Sequence, residues 1–376
     1  MKKFVFLLFP IVFCLTSIVW LFRALLLGYY PDFSTQYYSA KYAFSGVNPY
    51  VPNVGLYTPQ VYPPSEFFFF LPFTIFPIDI SANVYTCFSL GALIVSLVLL
   101  SKTFEIKPLS NTGLLLVGLA FSMFPVKFTL GMGQVNIFIL LLLTLGLYFM
   151  KRKKDFLSGS MVGMAFIIKL FPVFIPIFFL THFKMRILYG FLVVLLFGII
   201  APLIFFKQEI YLTFVTSFIE LANSWKLDYY NQSLSGFLGR SFGTGGVGSM
   251  LRFSMSGITS VGVFIFLLKH RNYNFTDLSF IFGILIAMNL ILNTFSWQHH
   301  FVLLIIPFYI TFWYLRKIKA RWFLYYLLAL SYFLVSVNFP NPLDYHLLYR
   351  SHVFYGACLM LGLMIYLLNL HRSSKT

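Results

Sequence analysis

One carboxylate in this chain stands where packing gives it little reason to be. Asp32 lies about six residues beyond an apolar run at 4–26. The stretch around it, YYPDFSTQYYSAKYAFSGVNPYVPNVGLYTPQVYPP (29–64), is rich in aromatics, Gly and Pro. A carboxylate beside a membrane surface in such a loop suits chemistry on a lipid headgroup. It can act as a general base toward an acceptor hydroxyl, because partial burial raises its pKa toward working pH. The bland alternative is a helix N-cap, since Pro31-Asp32 precede a helical run beginning near Phe33. One residue can serve both ends.

The cations that could face such a base are few. Lys169 is flanked by FII and LFP; at membrane depth it must pair or snorkel, and at a break between helices it could hold a lipid phosphate. His299 and His300 follow Trp297-Gln298. As imidazoles they can bind metal, and as imidazolium they can stabilise phosphate. Neighbours on a helix point about 100° apart, so they seldom share one metal. One is expected to face the site, unless the four residues only form an interfacial belt. Arg240 ends NQSLSGFLGR, and its guanidinium fork matches phosphate oxygens, though a loop arginine can equally meet lipid phosphate. Gly243, Gly245, Gly246 and Gly248 lack the Gly-Lys-Ser/Thr ending of a nucleotide loop. Glu66, after Tyr62-Pro63-Pro64, either lines the site or marks the interface.

These residues need a membrane scaffold to hold them. The 376 residues are 60% hydrophobic and 10% charged, with a mean hydropathy of +0.86, where a soluble domain carries about 25% charged residues. An all-α polytopic membrane protein follows. The net charge of +17 invites a nucleic-acid reading. However, eighteen of the 27 Lys and Arg residues collect in alternate short links between apolar runs, whereas seven of the ten acids lie on the other side. That is the positive-inside pattern, and it makes the charge a topology device that also attracts anionic lipid. Both termini are expected in the cytoplasm. No cleavage site follows the first apolar run, so it reads as a retained span. Cys14, Cys87 and Cys358 read as small core residues, with no disulfide or metal set.

Spans of ~20 apolar residues are expected at 4–26, 82–101, 112–126, 133–150, 187–206, 252–268, 276–295, 299–315, 322–337 and 352–370. Residues 156–182 predict a hairpin of short helices with Lys169 near its tip, giving 11–12 membrane helices in a single integral domain over 1–376. Gly159-x-x-x-Gly163 marks close helix packing there. Two long outer loops, 27–81 and 207–250, are expected to carry interfacial helices at 33–45 and at Gln208 to Trp225. The aromatic run 62–77 should lie at the interface or dip into it.

Taken in order, Asp32, SGVNPY (45–50), VYPP (61–64), GMGQVNIFILLLLTLGLYF (131–149), GSMVGMAFIIKLFPVFIP (159–176), NQSLSGFLGR (231–240) and SWQHHFVLLIIP (296–307) resemble glycosyltransferase family 87. Its best-known members are mannosyltransferases of the GT-C membrane superfamily that use polyprenyl-phosphate mannose. The resemblance implies a GT-C-type bundle and an Asp or Glu in the first outer loop as catalytic base, here Asp32. It implies a lipid-phosphate sugar donor, inversion at the anomeric carbon, and no metal or other cofactor. It makes Lys169, Arg240 and His299 or His300 donor-phosphate ligands. A hexose, mannose favoured, would then pass to a glycolipid or glycan acceptor at the outer face of the plasma membrane. Tyr37, Asn48, Tyr50, Glu66 and Gln134 are expected around the sugar. Two rival readings stay open. A flippase of lipid-linked sugars would show inverted halves, and none is visible. A polymerase or ligase of polyprenyl-diphosphate glycans would not need Asp32.

Overall fold

Apolar length decides which helices can cross a membrane, and here it varies widely. A computed structural model describes residues 30–182, 184–224, 227–243, 245–268, 274–339 and 349–374. The expected first span with its Cys14, and Trp225 at the end of the expected second interfacial helix, lie outside the described residues. Among the described residues sixteen α-helices run in the order α1 (Pro31–Phe44), α2 (Glu66–Phe70), α3 (Ile78–Thr103), α4 (Asn111–Ser122), α5 (Phe124–Met132), α6 (Asn136–Lys151), α7 (Asp155–Ile168), α8 (Phe174–Thr181), α9 (Met185–Phe205), α10 (Glu209–Ser224), α11 (Leu234–Phe242), α12 (Gly246–Leu268), α13 (Phe275–Leu292), α14 (Ile305–Lys317), α15 (Trp322–Ser336) and α16 (His352–Ser373). Among the described residues there is no strand; one isolated antiparallel bridge pairs Asn231 with Trp297.

The described residues hold five helices long and apolar enough to span, or six if the pair α4–α5, bent by 55°, counts as one. The expected first span lies outside the described residues, and several of the other expected spans are short helices. Helices α6, α7 and α15 have 16, 14 and 15 residues, which rise about 21–24 Å and fall short of ~30 Å of hydrocarbon. The α4–α5 break sits at Met123, with Pro125 in the first turn of α5, where its missing N–H does no harm. Helix α12 covers the expected 252–268 span. Short helices α7 and α8 flank an extended Lys169 (φ −151°, ψ 110°), as the hairpin reading expects.

Helix α7 lies against α9 closely enough that a Cβ at Gly159 would strike the Ile187 carbonyl, so the Gly159-x-x-x-Gly163 stripe serves helix packing. The expected interfacial helices are α1 and α10. One face of α10 (Ile210, Phe214, Ser217) is buried, and Leu212, Val215 and Ile219 are exposed. The aromatic run forms α2 and a 3-10 turn, Leu71–Ile75, with Phe67 and Phe70 buried and Ile75 and Phe76 exposed. Cys87, expected in the core, is exposed on α3.

Candidate active site

Helix α1 begins with Tyr30 as its cap and Pro31 in its first turn, and Asp32 follows. The carboxylate is therefore not the cap; it sits in the first turn, where the helix dipole favours a negative charge. The neighbouring Phe33 is fully buried. Its ring packs 4.9 Å from Tyr85 and 6.2 Å from Phe70. On the other side it meets Gly133, which ends α5 with a positive φ of 69°. A Cβ at Gly133 would stand 2.5 Å from the Phe33 Cβ. Glycine is thus required there twice, for the left-handed turn and for the approach of α1. That approach sets Asp32 beside Gln134, whose side chain hydrogen-bonds the carboxyl.

Asp32 lines a cavity of about 420 Å³, within the ~300–1,000 Å³ usual for small-molecule sites. Tyr62, Gln134, Asp228, Trp297, His299 and His300 also line it. Desolvation of the Asp32 carboxyl pushes its pKa up to about 6, against the opposing pull of the Gln134 hydrogen bond and the Lys169 charge. A carboxylate poised there accepts a proton readily near neutral pH.

Lys169 stands just behind the cavity wall, buried. Its ammonium donates to Asn136 Oδ1 (2.7 Å), His300 Nε2 (2.9 Å) and Tyr62 OH (3.0 Å). Tyr62 in turn donates to Gln134 Oε1 at 3.0 Å. A continuous chain of contacts thus joins Lys169 through Tyr62 and Gln134 to Asp32. His299 Nδ1 is buried without a partner, and the ring lines the cavity.

The remaining expected site residues are occupied elsewhere. Arg240 donates to the carbonyls of Asp228 and Asn231 (both 2.7 Å) and to Ser351 Oγ (2.8 Å), and it does not line the cavity. Tyr37 donates to the Phe76 carbonyl at 2.8 Å and Tyr50 to the Tyr62 carbonyl at 2.6 Å. Asn48 Oδ1 accepts the Tyr50 N–H at 3.0 Å. Glu66 is fully buried and accepts from Gln60 Nε2 at 3.1 Å; burial drives its carboxyl well above the usual range. These four brace the loop that forms one cavity wall. Asn231, in the NQS sequon, is buried and pairs its backbone with Trp297.

The sequence model of Glycosyltransferase family 87 matches residues 61–292, more than half of the chain. The chain belongs to glycosyltransferase family 87. Family 87 membership makes it a transferase that takes a sugar donor and an acceptor, and its multiple membrane-spanning helices make it an integral membrane protein. No curated protein and no solved structure shows a significant match. The family 87 match begins after Asp32 and ends before His299, so these two cavity residues join the matched region only through the fold. Tyr62, Asn136, Asp228 and Trp297 are cavity and network residues that residue chemistry alone did not single out. For Tyr62 a signal existed in VYPP, and for Trp297 in SWQHH. Among the described residues no group of three or more His, Cys, Asp or Glu could hold a metal.

Proposed function

We propose that this protein transfers a hexose, mannose favoured, from a polyprenyl monophosphate to a glycolipid or glycan acceptor at the outer face of the plasma membrane, with inversion. The observation that carries this reading is the placement of one carboxylate, Asp32, in the same cavity as His299 and His300, with the buried Lys169 ammonium bonded to His300. The phosphate would lie against the histidines. His299 would donate from the ring nitrogen that faces the cavity. Lys169 would supply a positive charge that the neighbouring phosphate holds in place against the cost of its dry surroundings. As the C1–O bond breaks, negative charge grows on the leaving phosphate, and preorganised donors stabilise that growth more than the ground state. Asp32 would take the acceptor hydroxyl proton while its oxygen attacks C1 from the opposite face.

An apolar cavity of about 280 Å³ suits the prenyl chain. Met123, Ile305, Phe308 and Tyr332 line it, and Ile305 directly follows the 3-10 turn that carries both histidines. The three N–H bonds of Lys169 are all taken, so the lysine would act through its field or by exchanging one partner for phosphate.

The test is product analysis. Purified protein given a labelled polyprenyl-phosphate hexose and an acceptor extract should release polyprenyl monophosphate and form a glycoside of inverted configuration. Release of a polyprenyl diphosphate, or movement of intact donor across a vesicle without cleavage, would overturn the proposal in favour of a ligase or a flippase.

A further inference from the structure

The cavity contains a second carboxylate that the proposed reaction does not use. Asp228 lines it together with Trp297. Asp228 Oδ1 accepts the Tyr230 N–H at 2.7 Å, which closes a side-chain turn of the kind Asp and Asn favour. Among the described residues its other oxygen accepts no hydrogen bond. The Trp297 ring is stacked at 17° on Tyr230, with centroids 5.8 Å apart, so this ring is held in place from behind.

The two side chains are fixed relative to each other by several independent bonds. The Asn231–Trp297 bridge joins the two segments, and the Gln232 N–H adds a bond to the Ser296 carbonyl at 2.7 Å. Arg240 holds the carbonyls of Asp228 and Asn231 from outside the cavity. Asn231 Oδ1 accepts both Ser233 Oγ (2.8 Å) and the Ser296 N–H (3.1 Å). A carboxylate and a braced indole at one end of a mixed cavity match the chemistry of a pyranose. The apolar C–H face of the ring lies on the aromatic surface, and neighbouring hydroxyls donate to the carboxylate.

We propose that Asp228 and Trp297 form a hexose-binding subsite, with Asp228 accepting sugar hydroxyls and Trp297 supporting the ring. This rests on, and extends, the hexosyltransferase reading. Arg240 is then a positioning residue: it sets the turn that presents Asp228 and does not meet phosphate. The sugar bound there belongs either to the donor or to the acceptor.

The experiment uses the full chain in detergent. Saturation-transfer NMR with the methyl α-pyranosides of mannose, glucose and galactose should give a signal with at least one of them. Asp228→Asn keeps the Oδ1 acceptor for Tyr230 and so keeps the turn, yet it should weaken binding about 10–100-fold, as expected for losing a charged acceptor. Trp297→Ala should abolish ring saturation, and thermal melts report that both variants are folded. Equal binding by wild type and Asp228→Asn, or no binding of any hexoside by wild type, overturns the subsite. Steady-state transfer then assigns its source: a raised KM for donor alone marks the donor sugar, and a raised KM for acceptor alone marks the acceptor. If hexosides bind in an Asp228-dependent way while the wild type transfers no sugar from polyprenyl phosphate, the subsite stands and the donor reading falls.

Discussion

Replacing Asp32 by Asn should damage function and improve stability at once. Desolvation holds the carboxyl at about 6, against an ordinary 3.8. Converting that difference at 1.36 kcal/mol per pH unit gives about 3 kcal/mol, and allowing for solvent at this half-buried residue leaves roughly 2–3 kcal/mol. The sign follows from proton binding. Between pH 3.8 and 6 the folded protein holds the proton and the unfolded chain releases it, so stability falls as pH rises through that window. Above pH 6 the full cost of the buried charge is present. Asn carries no charge at any pH and can still accept from Gln134. Asp32→Asn should therefore be more stable than wild type at pH 7.5, and the difference should vanish below about pH 4. Its transfer rate should drop about 10²–10⁴-fold, the usual contribution of a general base, with donor affinity preserved. In wild type, kcat/KM should fall on the acid side of about pH 6. The assays are denaturant or thermal unfolding at both pH values and initial rates from pH 5 to 8. Undiminished transfer by the variant would refute the assignment of the base, and a variant less stable at pH 7.5 would refute the burial argument.

Other expectations follow from the same geometry. Lys169→Met keeps the apolar stem and removes the charge beside His300; donor affinity should weaken about 10–100-fold, read by competition with labelled donor. Gly133→Ala places a Cβ 2.5 Å from Phe33 and forces an unfavourable positive φ. It should lower kcat at least tenfold by moving α1 and Asp32, and it should destabilise the fold by about 1–3 kcal/mol in thermal melts. Glu66, whose carboxyl burial drives well above its ordinary range, should tolerate Gln with near-normal rates; Glu66→Ala strands Gln60 Nε2 on that side and should cost about 1–3 kcal/mol. Arg240→Lys cannot hold two carbonyls and Ser351 in the same fork; it should raise KM for one sugar substrate and leave the affinity for free polyprenyl phosphate unchanged.

How legible the site was depended on how local each determinant is. The break at Lys169 was readable, because a lysine between FII and LFP with two prolines following cannot continue an apolar helix. So were α1 and α10, whose limits follow from Pro31 and from an amphipathic pattern. The surroundings of Arg240 were not readable. Its residue type suits phosphate, but the three oxygens it meets are a fact of the fold, since Ser351 is 111 positions away. Tyr37 and Tyr50 likewise have hydroxyls that suit a sugar, yet each is taken by a carbonyl contributed from farther along the first long loop.

By itself, the amino-acid order determined that this chain lives in a bilayer, that its family is one of glycosyltransferases, and that Asp32, Lys169 and the histidine pair needed an explanation. Those conclusions rest on composition, apolar run length and short motifs, which act within a turn or two of helix. Only the tertiary structure decided that Asp32 and His299 share a cavity, that Lys169 reaches Asp32 through Tyr62 and Gln134, and that Asp228 belongs with Trp297. Contacts between residues tens to hundreds of positions apart depend on how helices close on one another. Here that closure turns on a missing Cβ at Gly133 and a single backbone bridge at Asn231, features that carry chemical meaning only once their distant partners are in place.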